Sequence, residues 1–223
     1  MPGIMSCTAR KQRPLRIQIH ERNLENSRRH EHPPIGKFSV VAARFCARRP
    51  TAFTVAKTGW PWGRDLTVTD ASGAAVMRVD GSFLFGRSVL LDAASRPVLT
   101  VQRRPSLFEA RRTWKAFKGD STSSDDLLFS AVVRPSLTNT GDIHVHLDGE
   151  RRRDFVGVRP WYRGTDCAIT HAGATVAQIE SSGGFLSPAK YDVRVNEGVY
   201  HAFVLGLTVV LEGIRLDDAE QER

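Results

Sequence analysis

The side chains best placed to do chemistry are cations. Arg103, Arg104, Arg111, Arg112, Lys115 and Lys118 crowd into one short stretch. Two adjacent strands and their connection would bring them close together. Arginine forks and lysine point charges suit phosphate oxygens, so the pattern points to an anion site. The competing reading is a solvated strand surface with acids paired opposite. Arg151-Arg152-Arg153, beside Asp148 and Glu150, is a second basic cluster, most simply read as a loop with local charge pairing.

Other chemistries find less support. His144 and His146 share a strand face with Asp148, so two imidazoles could share a metal, but no further ligand is evident. No metal site is therefore expected. Cys167 alternates with Ile169 and should face the core, where a thiol is a small inert hydrophobe. His171 stands at a turn. Ser121, Ser123 and Ser124 lie in a polar loop with Asp125 and Asp126, without a G-x-S-x-G context. There is no P-loop, G-x-G-x-x-G or H-E-x-x-H. No convergent acid–base set exists, so no catalytic residue, cofactor or enzymatic activity is expected. His201 is read as a neutral core histidine. Trp60 and Trp62 are expected to cap a barrel end, with a membrane or partner contact as the alternative.

The net charge of +8 over 223 residues is unevenly spread. Residues 1–50 hold 11 Lys/Arg and three Glu, and the remainder balances at 21 of each sign. The basic character belongs to the leader, not to the folded part, which argues against reading the whole chain as nucleic-acid-binding. Residues 1–37 are expected to be a disordered basic leader. They lack the apolar core of a signal peptide, and their glutamates and few serines do not suit a transit peptide. Three widely spaced cysteines without a C-x-x-C argue for free thiols in a reducing compartment. No apolar run reaches the ~18–20 residues of a spanning helix.

The elements that must position these residues are short strands. Asp142-Ile-His-Val-His-Leu-Asp148 alternates without a fault, with Ile143, Val145 and Leu147 on one face. Strands are predicted at 52–57, 66–70, 75–80, 88–92, 98–102, 113–118, 127–133, 142–148, 155–158, 166–171, 174–180 and 191–196. Three hairpins resemble one another, 66–81, 89–104 and 167–182. In the first two an Asp closes the leading strand, where it can bond to turn amides. Trp114 and Phe117 are three apart, and a bulge would bring both inward.

Val199 to Ile214 breaks the alternation. It is apolar around its circumference through Leu211 apart from His201 and Thr208, so as a helix it must be buried on all sides. At 1.5 Å per residue it spans roughly 24 Å, short of the ~30 Å bilayer core. Twelve strands at ~4.8 Å spacing and 35–45° tilt close at a radius of roughly 12 Å, room for one helix. Gly206 and Gly213 are tolerable there if strands press close. Arg215, Asp217 and Asp218 should mark the exit into solvent, with 219–223 a polar tail.

LTVTDASGAAVMRVDG, SVLLDAASRPVLTVQRR, the SLF…RRTWKAFKGDS stretch, LLFSAV and YDVRVNEGVYHAFVLGLTVVLEGI together resemble the plant LURP-one-related proteins, over residues 38–218. That resemblance implies a mainly β, Tubby C-terminal-like fold: a twelve-stranded closed antiparallel barrel enclosing a hydrophobic C-terminal helix, shared with phospholipid scramblases. It implies no catalytic residues and an association with plant defence. Tubby domains bind phosphoinositides through basic side chains on the barrel wall, so it makes Arg103, Arg104, Arg111, Arg112, Lys115 and Lys118 the candidate lipid-binding residues.

The leading expectation is a non-catalytic, monomeric module at the cytosolic face of a membrane. Its partners would be anionic phospholipid headgroups or other proteins, without specific nucleic acid, in the cytoplasm, at the plasma membrane or in the nucleus. Two alternatives stand beside it. One is a scramblase-like protein whose helix leaves the barrel and inserts in the bilayer. The other is a nucleic-acid-associated regulator using the basic leader.

Overall fold

The computed structural model describes residues 42–58, 65–82, 86–104, 112–133, 142–147, 155–158, 166–182 and 189–221. The leader, its boundary at 37/38 and the Trp60/Trp62 loop lie outside the described residues.

Among the described residues twelve strands form one closed antiparallel barrel. They are β1 (Thr51–Lys57), β2 (Leu66–Asp70), β3 (Ala75–Ser82), β4 (Arg87–Asp92), β5 (Pro97–Arg104), β6 (Arg112–Lys118), β7 (Leu127–Val133), β8 (Ile143–Leu147), β9 (Phe155–Val158), β10 (Cys167–His171), β11 (Ala174–Ser181) and β12 (Lys190–Val195). Each strand pairs with its neighbours in sequence, and β1 closes on β12 with Phe53 opposite Val193. Closure leaves no unpaired strand edge. Alternation decides what faces inward: Ile143, Val145 and Leu147 of β8 are buried, as the period of two requires. His144 faces the other way yet is only 6% exposed, set between Val132 of β7 and Val156 of β9.

The hairpin turns account for their residue choices. Asp70 Oδ1 accepts hydrogen bonds from the Ser72 and Ala74 amides at 2.8 and 3.1 Å. Asp92 Oδ1 does the same for the Ala94 and Arg96 amides, both at 3.0 Å. The third hairpin has a two-residue turn, Ala172 and Gly173, with φ of +49° and +84°. Two positive φ values suit a tight turn that matches strand twist. His171 instead lies against Phe155, ring centroids 4.8 Å apart.

Among the described residues one α-helix, α1 (His201–Gln221), runs through the barrel. Ala202 to Leu205 and Leu207 to Leu211 are all buried. Phe203 packs edge-on against Phe129 at 5.1 Å and tilted against Phe155 at 4.9 Å. Thr208 satisfies its hydroxyl by donating to the Val204 carbonyl at 3.1 Å. The glycines mark close approach. A Cβ on Gly206 would stand 3.3 Å from both methyls of Leu99, and one on Gly213 would stand 3.0 Å from Trp114 Nε1.

Two expectations need correction. Trp114 lines the core but Phe117 does not, although both are buried. The irregularity falls in β7, which skips Leu128 between the pairs Ala116–Phe129 and Phe117–Leu127. The alternation of β6 against β5 is unbroken, so Phe117 pairs with Thr100 on the opposite face from Trp114. The helix also runs past Ile214, to Gln221. Asp217 is 6% exposed rather than solvated.

Candidate functional site

The basic cluster of β5 and β6 is divided by alternation. On β5, Leu99 touches the helix and Val101 is buried, so Arg103, two and four residues on, also points to the interior at the barrel's mouth. On β6, Trp114 and Ala116 face inward, which carries Arg112 inward as well. Both arginines meet acids of α1. Arg103 Nη1 lies 3.0 Å from Asp217 Oδ1. Arg112 Nη1 donates to Asp218 Oδ1.

Arg104 and Lys115 take the other face. Arg104 is opposite Thr113 and Lys115 opposite Gln102, which makes the two cations diagonal neighbours on the outer wall, about 7–8 Å apart at the backbone. The Arg104 guanidinium sits 5.9 Å from the Phe117 ring, a cation–π distance. Among the described residues no carboxylate pairs with either. Lys118 closes β6 at the opposite end of the barrel, six residues from Arg112, or about 20 Å along the strand. Arg111 lies outside the described residues, as do Arg151, Arg152 and Arg153. The site thus consists of an outer pair, Arg104 and Lys115, beside an inner pair already engaged by carboxylates.

Sequence reasoning missed the polar cluster behind this mouth. Tyr191 points inward from β12, like Val193 and Val195. Its hydroxyl donates to Glu212 Oε2 at 2.7 Å. Arg215 closes the group, with Nε 2.8 Å from Glu212 Oε2 and Nη2 2.8 Å from Oε1. Burial, reinforced by the Glu212 charge, raises the Tyr191 pKa well above the ordinary phenol value. The bidentate bond to Glu212 raises that of Arg215. The signal was present: Glu212 and Arg215 stand three apart in an otherwise apolar run, the spacing of a helical ion pair.

The remaining candidates are placed as follows where they are described. Cys167 is buried in the core, its Sγ 2.8 Å from where a Cβ on Gly157 would lie. Ser123 caps a 3-10 turn by accepting from the Asp125 amide at 3.4 Å. His201 sits at the other barrel mouth between Phe45 and Phe53, ring centroids 5.6 and 5.4 Å away. Desolvation there lowers its pKa. His144 and His146 lie on β8 with Asp148 outside the described residues. Among the described residues no three potential metal ligands converge, and no helix is long and apolar enough to cross a membrane.

Comparison with known proteins agrees with this architecture. A family model described as LURP-one-related matches residues 51–212. Protein LURP-one-related 15 of Arabidopsis thaliana is 28% identical over 193 residues, covering 80% of this chain and 87% of the relative. Protein LURP-one-related 9 of the same plant is 30% identical over 190 residues, covering 78% and 96%. An X-ray structure of an Arabidopsis thaliana protein superimposes with a TM-score of 0.59 at 27% identity, covering 78% of this chain and 97% of that one. With twelve strands closed around a C-terminal helix and the family pattern spanning most of its length, the chain belongs to the LURP-one-related family.

Proposed function

We propose that this protein is a non-catalytic Tubby-like module that docks on anionic membrane surfaces, recognising phosphoinositide headgroups through the outer wall of β5 and β6. The observation that carries the reading is the asymmetry of the cluster. Arg103 and Arg112 have carboxylate partners, whereas Arg104 and Lys115 stand side by side on the outer face without one among the described residues. A guanidinium and an ammonium at that separation can share the oxygens of one phosphorylated headgroup. The interior is filled by α1, which leaves the wall as the surface for recognition. Such a module would serve the defence association that family resemblance implies by responding to headgroup phosphorylation.

The test is flotation of the full chain with phosphoinositide vesicles, comparing the natural sequence with Arg104→Gln/Lys115→Gln. Each cation near an anionic surface contributes about 1 kcal/mol, so the double variant should lose roughly tenfold or more in affinity. Equal flotation of the two proteins would remove the wall as the site.

A further inference from the structure

The helix ends in residues that its own electrostatics disfavour. The C-terminus of a helix carries partial negative charge and favours cations. The last turn of α1 has no basic residue, and Asp217 and Asp218 stand just before it. The one nearby cation of the helix, Arg215, spends both Nε and Nη2 on Glu212. Among the described residues, the arginines that meet the two aspartates come from the barrel strands. Arg103 of β5 reaches Asp217, and Arg112 of β6 reaches Asp218. Both arginine side chains remain partly open to solvent, 41% and 24% exposed, as does Asp218 at 43%. The carboxylates therefore hold, from within the molecule, two inward-facing cations of the same strands whose outer face carries Arg104 and Lys115.

We infer that Asp217 and Asp218 are an internal competitor for the phosphate site: an incoming phosphorylated headgroup takes Arg112, then Arg103, and releases the last turns of α1. This rests on the proposed headgroup recognition and adds its regulation. A phosphate dianion offers more charge and more acceptor oxygens than a single carboxylate, so exchange is favoured when headgroup is abundant. The released segment lies beyond Arg215. The apolar part of α1 stays in the barrel, held by its packing and by the Tyr191–Glu212–Arg215 cluster.

The test uses the full chain, two probes and two readouts. The probes are phosphoinositide vesicles and free inositol trisphosphate. Asp218→Asn keeps the size of the side chain and removes the competing charge at a half-exposed position, so the fold should persist. It should tighten binding roughly two- to fivefold, the range of one partly exposed ion pair. A gain with vesicles alone assigns the site to a membrane surface, and a gain with both probes assigns it to the headgroup itself; either supports competition. Unchanged or weaker binding of Asp218→Asn overturns it. In the natural sequence, hydrogen exchange at residues 216–221 should quicken when the probe is added, and constant or slower exchange also overturns the inference. The two proposals fail separately. A protein that binds vesicles through Arg104 and Lys115 but gains nothing from Asp218→Asn keeps the docking reading and loses the competitor. Absence of binding by both proteins sinks both.

Discussion

Glu212 of α1 accepts a 2.7 Å hydrogen bond from the Tyr191 hydroxyl of β12, joining the central helix to the barrel wall from inside. Tyr191 is fully buried and Glu212 is 6% exposed. A carboxylate so placed must be paired, since an isolated buried charge is costly. Tyr191 and Arg215 supply that pairing. Tyr191→Phe leaves Glu212 with Arg215 alone and should cost about 1.5–3 kcal/mol, as for a hydrogen bond to a charged group. Glu212→Ala strands both the phenol and the guanidinium and should cost more than Tyr191→Phe. Urea unfolding at constant m-value checks both.

Gly206 lets the helix lie close to β5 and β7: an added Cβ would stand 3.3 Å from both Leu99 methyls and 3.4 Å from Phe129 Cζ. Gly206→Val puts two further methyls into that space. Overpacking of a filled core costs about 1–3 kcal/mol, and the small gain in helix propensity does not offset it. A melting temperature equal to that of the natural sequence would show that strand and helix do not press together there.

His201 gives the barrel an acid sensitivity. Its pKa is lowered in the fold by desolvation, from an ordinary value of 6.5. The unfolded chain therefore takes up its proton at higher pH than the folded one. Stability from the neutral imidazole is complete above about pH 6.5 and falls as pH drops below that value, with a slope of at most about 1.4 kcal/mol per pH unit. The protonated ring would also face the helix N-terminus, where positive charge is disfavoured. His201→Phe should flatten the melting temperature between pH 7 and 5, measured against the natural sequence in the same buffers.

Much of the fold was legible because its signals are local. Alternation in β8, the Asp70 and Asp92 turns and the unbroken apolar surface of α1 each follow from a few consecutive residues. The site was legible only in its residue types. Arg103 and Arg104 look equivalent in sequence, yet a period of two sends one to Asp217 and the other to the outer wall. The partners of Arg103 and Arg112 lie over a hundred residues away, so Asp217 and Asp218 read as a solvated exit. Phe117 was misplaced for a related reason: the extra residue is Leu128 on the neighbouring strand, and nothing within β6 records it.

The most direct test asks which part of the chain meets lipid. Phosphoinositide vesicles carrying a photoactivatable acyl chain should float with the full protein and leave the helical peptide 201–214 unlabelled, because that segment stays enclosed by strands. Acyl-chain label within 201–214 would place the helix in the bilayer and contradict the account at its centre.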